Sequence, residues 1–386
     1  MECPSVARFC HGWEIMTFDL AIIGGGPAGT AAAITASRLG RRVLLLERGR
    51  FPRQKVCGEF ISPEGGALLE ALGLHDLVCR APRIAHARIL AERSVAETTL
   101  SPAAVSISRY ELDHALWRLA VEAGADCRQQ VEAREITGPG PFNVATSAGA
   151  FRARAVINAS GRWSNLRRSR LARAPREKWV GWKAYFREPG LAASVDLYFF
   201  ASGYCGVQPL GNGCVNVCAM VRAGSADSIT QVLALHPMLW ERSRAWQQVS
   251  ETVATAPLVF APPDAEEGGV LFAGDAAGFI DPFVGDGISL ALRSGVMAVS
   301  ALLETWAGKR PVAEAAAVYR SQYERELRPL FRNAGWLRQL TSLPRVLHRP
   351  VIEVLRSPRV TRFLIGKTRM SVMPLGGWHC RPRFPL

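Results

Sequence analysis

Three glycines near the start of the chain have a spacing that could hold a diphosphate. Gly24, Gly26 and Gly29 form G-x-G-x-x-G between two apolar segments, and Glu47 ends the second segment. Gly24 allows a tight turn, Gly26 lets the backbone approach a pyrophosphate, and Gly29 allows a helix to pack closely. The Glu47 carboxylate is placed to accept hydrogen bonds from an adenosine ribose, so the motif predicts a dinucleotide site. The neighbouring residues assigned to it are Pro27, Ala28 and Arg48. The alternative is a structural glycine turn in an ordinary βαβ unit.

A second group of small and acidic residues follows an apolar segment late in the chain. Gly274 and Asp275 end that segment, and Pro282 comes after six intervening residues. A carboxylate at the end of a strand suits a ribityl hydroxyl, and the N–H groups of a glycine-rich turn suit an anionic flavin ring. The turn residues assigned to the site are Gly285, Gly287 and Ile288. Together the two groups indicate that the dinucleotide is FAD.

A cysteine between basic residues is the first candidate for catalysis. The segment 52–63 contains Arg53, Lys55 and Cys57. The two cations could lower the pKa of the thiol or hold a phosphate. The alternative is that Cys57 is a small buried side chain and that the cations are solvated. Tyr204, in the segment GYCGVQPL, is the second candidate.

These motifs resemble those of the FAD-dependent oxidoreductases that include the geranylgeranyl reductases and the class A flavoprotein monooxygenases (p-hydroxybenzoate hydroxylase-like). The motif at Asp275 matches their G-D-x6-P fingerprint, and 52–63 is similar to P-x-x-K-x-C-G-x-x-x-S-P of the geranylgeranyl reductases. The resemblance covers about residues 16–330.

A third segment, 156–168, resembles the A-D-G-x-x-S-x-x-R motif of the same proteins. Gly161, Ser164 and Arg167 are retained, but Ser160 replaces the aspartate. In the hydroxylases that aspartate is associated with the handling of FAD and NAD(P)H. Its replacement therefore counts against direct use of NADPH in the hydroxylase manner.

The resemblance implies roles for the candidate residues. In the family the aspartate at the position of Asp275 binds the ribitol of FAD, and the glycine-rich turn after it lies along the isoalloxazine. An arginine at the position of Arg109 reaches the FAD phosphates. The cysteine that matches Cys57 lies near the flavin, with a catalytic or substrate-positioning role. The stretch G-Y-x-W-x-F-P, which the segment of Tyr204 resembles, passes beneath the flavin and the substrate.

The expected function is that of a geranylgeranyl-reductase-like, FAD-dependent oxidoreductase. It would use reduced flavin to reduce a C=C or quinone-like group of a hydrophobic isoprenoid, lipid or polyketide substrate, with Cys57 or Tyr204 near the point of proton donation. The alternative is a monooxygenase that hydroxylates an aromatic or polyketide substrate through a flavin C4a-hydroperoxide. A halogenase, whose W-x-W-x-I-P signature is missing, and a non-enzymatic flavin protein are less favoured. Because no second G-x-G-x-x-G is present, NAD(P)H would bind transiently, or a redox partner such as a reduced electron carrier would supply the electrons.

The elements that must position these residues follow from apolar spacing. Strands are predicted at 180–186, 194–200 and 216–221, and a helix at 108–127. The resemblance implies an α/β fold class, with a Rossmann-like FAD-binding domain of the GR2 type, an inserted antiparallel β-sheet substrate domain and a C-terminal helical region. The expected boundaries are 16–80, 101–175 and 262–310 for the FAD-binding domain, 81–100 and 176–261 for the substrate domain, and 311–386 for the basic helical region.

Composition limits the class of protein. The 386 residues suffice for two domains, and no uninterrupted apolar run of 18 residues predicts a membrane span. An odd count of nine cysteines, without an evident signal peptide, predicts reduced thiols and a cytoplasmic protein. Residues 1–15 are expected to be disordered or a misassigned start. Cys214 and Cys218 lie too far apart along a strand to chelate easily, so we expect no metal site.

Positive charge is concentrated in the tail. Residues 320–386 hold 14 basic and three acidic side chains, a net charge of +11, whereas the whole chain carries +14. Apolar residues at helical spacing lie between the arginines, which predicts an amphipathic surface for anionic lipid or for a partner. The alternative is a helical region that packs on the FAD-binding domain with solvated arginines. Nucleic acid is not expected as a partner, because no nucleic-acid fold signature accompanies the charge.

Overall fold

The computed structural model describes residues 17–162, 166, 178–190, 192–341 and 348–369. Three of the expectations fall on residues outside these ranges, namely the disordered or misassigned start at 1–15, the motif residues Ser164 and Arg167, and the tail from residue 370.

The strands are β1 (Thr17–Ile23), β2 (Val43–Glu47), β3 (Phe60–Ile61), β4 (Arg83–Ala91), β5 (Ser94–Ser106), β6 (Asp126–Gln129), β7 (Ala133–Thr137), β8 (Phe142–Thr146), β9 (Gly149–Asn158), β10 (Trp179–Arg187), β11 (Ser194–Phe200), β12 (Gly203–Gly211), β13 (Cys214–Arg222), β14 (Gln247–Gln248), β15 (Val253–Leu258), β16 (Glu266–Glu267) and β17 (Val270–Phe272). The helices are α1 (Pro27–Arg38), α2 (Pro63–Ala71), α3 (His75–Arg80), α4 (Arg109–Glu122), α5 (Ile229–Ala234), α6 (Pro237–Ser243), α7 (Gly287–Ala301), α8 (Leu303–Trp306), α9 (Val312–Glu326), α10 (Arg328–Thr341), α11 (His348–Leu355) and α12 (Pro358–Thr368), with short 3-10 helices at Gly274–Ala276 and Pro282–Val284.

The first sheet is the Rossmann-like part of the fold. Its main path runs β16-β17-β9-β1-β2-β6, in which every pair except the edge pair β16–β17 is parallel. Two further strands join at β9, where β8 pairs antiparallel with β9 and β7 pairs antiparallel with β8. All five residues of β2 are buried, as expected for a strand in a parallel sheet covered by helices. Helix α1 packs against α4 and α7. Because the carboxyl ends of β1 and β17 lie at one edge of the sheet, the two glycine-rich motifs meet there.

The second sheet contains the three strands predicted after residue 176. Its order is β14-β10-β13-β12-β11-β4-β5-β3, with β15 beside β10, and every pair is antiparallel except β11–β4. The sheet also takes residues from outside the expected substrate segments, because β5 continues to Ser106 and β3 pairs with it. The division of the chain at residues 80, 100, 175 and 261 stays a prediction.

The helix predicted at 108–127 is shorter in the structure. Helix α4 ends at Glu122, and the chain turns at Gly124, which has φ +94. Residues 126 and 127 instead begin β6, beside β2. The prediction was wrong at this end, because a left-handed glycine ends the helix before its apolar periodicity does.

Helices close the fold at its C-terminal side. Within the part of the chain that the structure describes, one helical stretch, Gly287–Trp306, is long and apolar enough to cross a membrane. Most of it is buried, and α1, α2 and α9 pack against α7, as in the core helix of a folded domain. Helix α11 packs on β4 and β5, and α12 packs on α10 and β5.

Candidate active site

The first glycine motif forms a turn that leaves room for a diphosphate. Gly24 has φ +105, and a Cβ there would lie 2.3 Å from the carbonyl oxygen of Ala159. A Cβ on Gly29 would lie 1.8 Å from the carbonyl oxygen of Gly24, so only glycine lets α1 begin so close to β1. A Cβ on Gly26 would meet only the Lys55 ammonium, at 3.8 Å. This open space at the start of a helix fits the pyrophosphate of FAD.

The acid at the end of β2 is joined to this turn. One oxygen of Glu47 accepts a hydrogen bond from the N–H of Gly25 at 2.9 Å. The other accepts from the N–H of Gly49 at 2.8 Å and from the guanidinium of Arg53 at 2.7 Å. Glu47 and the exposed Arg48 both line the cavity described below, and the ribose contact expected of Glu47 remains a prediction.

A buried acid holds two cations beside the first glycine motif. Asp113 accepts two hydrogen bonds from the guanidinium of Arg109, at 2.7 and 2.8 Å, and lies 3.1 Å from the ammonium of Lys55. Burial alone would raise the pKa of Asp113, but Arg109 and Lys55 together hold it below its ordinary value. The three groups carry a net positive charge next to Gly26. Arg109 lines the cavity, while its predicted contact with the FAD phosphates remains untested.

The second motif lies against the first. Gly274 has φ +60, and a Cβ there would lie 3.0 Å from the Cβ of Ala28. Asp275 follows it in the 3-10 helix and faces the cavity. Burial raises the pKa of Asp275, and the opposing cations are led by Arg162. A carboxylate in this position can accept hydrogen bonds from hydroxyl groups such as those of the ribityl chain.

The glycine-rich turn after this motif also lines the cavity. Gly285 has φ +72, and α7 begins at Gly287. The other predicted flavin residues that line the cavity are Pro27, Pro282 and Ile288. The turn therefore places backbone N–H groups at the start of a helix beside the cavity, as expected for a flavin ring.

The third motif contributes one side chain that the sequence interpretation missed. Ser160, which replaces the aspartate, donates a hydrogen bond from its hydroxyl to Asn158 Oδ1 at 2.6 Å. Arg162, two residues later, lines the cavity with its guanidinium 4.7 Å from the ring centre of Phe279. Burial lowers the pKa of Arg162, whereas Asp275 opposes that shift. The signal available in the sequence was an arginine directly after Gly161 in a flavin motif.

Cys57 faces the cavity and is held by its neighbours. The N–H of Glu59 donates to the Cys57 sulfur at 3.3 Å, and the Asn216 amide donates to the Cys57 carbonyl oxygen at 3.0 Å. The side chain is half-buried, and the thiol is free. Its position on the cavity wall is compatible with the predicted role, which remains a prediction.

Tyr204 lies on β12 on another part of the cavity wall. The side chain is buried and contacts the rings of Phe199 and Phe283. Its hydroxyl has no hydrogen-bond partner among the described residues. Burial raises the pKa of Tyr204 well above its ordinary value, so the hydroxyl keeps its proton.

A cavity of about 760 Å³ joins the predicted flavin residues, except Gly29, which does not line it, to an apolar arm. The polar part lies at the two glycine motifs. The apolar part extends under the second sheet to α11 and α12, and its wall includes Ile89, Leu100, Leu197, Phe199, Met220, Leu355 and Leu364. The volume is in the range of cofactor and ligand sites, and the apolar arm is suited to a hydrophobic molecule.

Comparisons with known proteins agree with this geometry. The FAD binding domain family matches residues 17–329 of the chain. The menaquinone reductase of Mycobacterium tuberculosis (strain CDC 1551 / Oshkosh) is 30% identical over 314 residues, which are 74% of this chain and 76% of that protein. Digeranylgeranylglycerophospholipid reductase 2 of Methanopyrus kandleri is 28% identical over 345 residues, 83% of this chain and 85% of that protein.

A solved structure shows the same fold. The structure of a flavin-dependent brominase superposes with a TM-score of 0.74 at 18% identity, over 92% of this chain and 93% of that chain. At this identity the likeness supports the fold alone, including the Rossmann-like sheet and the second sheet. With the family match and the glycine turns that fit a flavin dinucleotide, the chain belongs to the FAD binding domain family and is an FAD-dependent oxidoreductase.

Proposed function

We propose that this enzyme reduces a carbon–carbon double bond or a quinone-like group of a hydrophobic lipid. The observation that carries the proposal is the apolar arm of the cavity, which begins at the predicted flavin residues and ends at α11 and α12. The names of the two relatives, which are reductases of menaquinone and of digeranylgeranylglycerophospholipid, support this substrate class.

The chain's own contribution to the reaction is positioning and proton supply. When bound at the glycine motifs, FAD supplies the electrons. The apolar wall orients the substrate and excludes water from it. Tyr204 lies on this wall with its hydroxyl protonated, and we assign it as the donor of the proton that the reduced substrate atom takes up. Cys57, on the same cavity, positions the substrate.

We further propose that the enzyme takes its substrate from an anionic membrane surface. The three most exposed large apolar side chains of the described residues lie on the C-terminal helices: Trp336 (53%), Val354 (57%) and Phe363 (63%). Exposed cations lie on the same helices, among them Arg332, Arg359 and Lys367. Since α11 and α12 also line the cavity, a bilayer on their outer side would be close to the apolar arm.

Membrane binding is tested with vesicles that contain anionic lipid. Phe363→Asp and Val354→Asp are expected to weaken sedimentation with vesicles, because each removes an exposed apolar contact and adds a repelling charge. Val318→Asp, at an exposed apolar position on α9, is the matched control. The proposed binding to an anionic membrane would be refuted if all three variants bound vesicles equally, or if the binding did not depend on salt.

The reaction is tested by anaerobic reoxidation of the reduced enzyme. NAD(P)H or a reduced carrier protein is the physiological electron donor we propose, and chemical reduction replaces it in this assay. A polyprenyl quinone or a geranylgeranyl lipid should restore the oxidised flavin spectrum under nitrogen, and the product should gain two hydrogens by mass. No reoxidation by either acceptor, with oxygenated product from an aromatic substrate in air, would instead identify a monooxygenase.

A further inference from the structure

The loop 54–59, which carries the candidate cysteine, is attached to the second sheet by a buried lysine. Lys183 lies on β10, and its ammonium contacts Gln54 Oε1 and the carbonyl oxygen of Lys55, both at 3.1 Å. It also forms an ion pair with the Glu59 carboxylate. The Tyr185 hydroxyl also lies 2.9 Å from this ammonium, so its three protons are shared among four oxygens, three of which belong to the loop.

The neighbouring strand holds the middle of the same loop. Asn216 lies on β13, directly opposite Tyr185 of β10. Its side-chain amide donates to the carbonyl oxygens of Cys57 at 3.0 Å and Gly58 at 2.8 Å. Two adjacent strands therefore bind backbone carbonyls of the loop at three successive points, residues 55, 57 and 58.

Glu59 connects this attachment to the predicted phosphate site. The buried carboxylate accepts from the Tyr185 hydroxyl at 2.8 Å and from the N–H of Arg109, the first residue of α4, at 2.7 Å. Its backbone has φ +61, a conformation that a residue with a side chain adopts only when its surroundings hold it there. The loop is therefore held between the second sheet and the first turn of α4.

We propose that Lys183, Glu59 and Asn216 are positioning residues that hold Cys57 in place between the flavin site and the substrate sheet. The contacts involve residues 54, 55, 57, 58 and 59, and the sulfur itself is left facing the cavity. Any shift of β10 and β13 would move the cysteine with it. The consequence for turnover rests on the proposed function of Cys57, whereas the attachment of the loop does not.

The attachment is tested in the FAD-bound enzyme by site-resolved alkylation and hydrogen exchange. Lys183→Met and Asn216→Ala are expected to raise the alkylation rate of Cys57, and amide exchange in residues 54–59, by at least about tenfold, since local opening becomes easier. The exposed Cys79 is the internal reference for alkylation. Lys178→Met, at an exposed lysine just before β10, should change neither rate.

Each outcome distinguishes positioning from general stabilisation. Alkylation and exchange within about twofold of the parent in folded variants would overturn the proposal. Loss of protection spread evenly over β10–β13 would overturn it as well. If Lys183→Met fails to fold because it leaves Glu59 buried without its cation, Asn216→Ala, which removes no charge, carries the test. Unchanged alkylation and exchange in Lys183→Met and Asn216→Ala, together with an inactive Cys57→Ala variant, would overturn the attachment but retain the role of Cys57. Raised alkylation and exchange in those two variants, together with full turnover by Cys57→Ala, would support the attachment but remove the role of Cys57.

Discussion

Replacement of Tyr204 by phenylalanine should stabilise the protein and impair the reaction at once. The hydroxyl is buried and has no partner among the described residues. A buried unsatisfied polar group costs about 1–3 kcal/mol, so removing this one should increase the free energy of unfolding by about 1 kcal/mol. For a chain of 386 residues that corresponds to a rise in Tm of roughly 1 °C in the flavin-free protein. Because the aromatic contacts with Phe199 and Phe283 involve the ring, phenylalanine preserves them.

The same substitution should lower the rate of product formation by about 100-fold or more, the usual contribution of a general acid. Thermal melts of the flavin-free protein and anaerobic single-turnover reactions with the lipid acceptor measure the two effects separately. Tyr110→Phe, at an exposed tyrosine, is the matched control and should change neither. A Tyr204→Phe protein that melts lower would show that the hydroxyl has a stabilising partner, and unchanged turnover would show that another group supplies the proton. Either result refutes the corresponding step of the reasoning.

Two further substitutions test the site, and a third tests Asp281, a buried acid directly before Pro282. Asp275→Ala should remove stable flavin binding, since it deletes the carboxylate at the predicted ribitol position, and a yellow variant with parental occupancy would contradict this. Cys57→Ala should lower turnover while FAD remains bound, and an unchanged kcat would make Cys57 a structural residue. Burial raises the pKa of Asp281 from 3.8 to about 6, so this group takes up a proton on folding between those values. Ionisation of Asp281 therefore destabilises the folded protein above pH 6, and this penalty disappears below pH 4. Asp281→Asn should increase the free energy of unfolding at pH 8 by up to about 3 kcal/mol and raise Tm accordingly. The gain should shrink as the pH falls through 6. Melting curves across this pH range measure it, and an equal gain at pH 4 and pH 8 would contradict the assignment.

Local sequence patterns were sufficient to predict the FAD cofactor and the α/β architecture. The spacing of Gly24, Gly26 and Gly29 indicates a backbone conformation that requires glycine. The structure shows why, since a Cβ at Gly24 or Gly29 would clash with backbone atoms. Asp275 was recognisable because its signal is also local: it closes an apolar segment that predicts a strand. The pair Arg109 and Asp113 was also within reach, because the two residues lie four apart on one face of the predicted helix.

The tertiary structure decided what surrounds the flavin site. Lys183 and Glu59 are 124 residues apart, and only the packing of the second sheet on the loop brings their charges together. In the sequence, a lysine within an apolar strand was the one hint of a buried partner. The apolar arm of the cavity likewise combines β4, β11, α11 and α12, whose distances in space do not follow from their spacing along the chain. Glycine motifs are readable because their constraint is local, whereas a buried ion pair and a cavity wall depend on which distant surfaces meet.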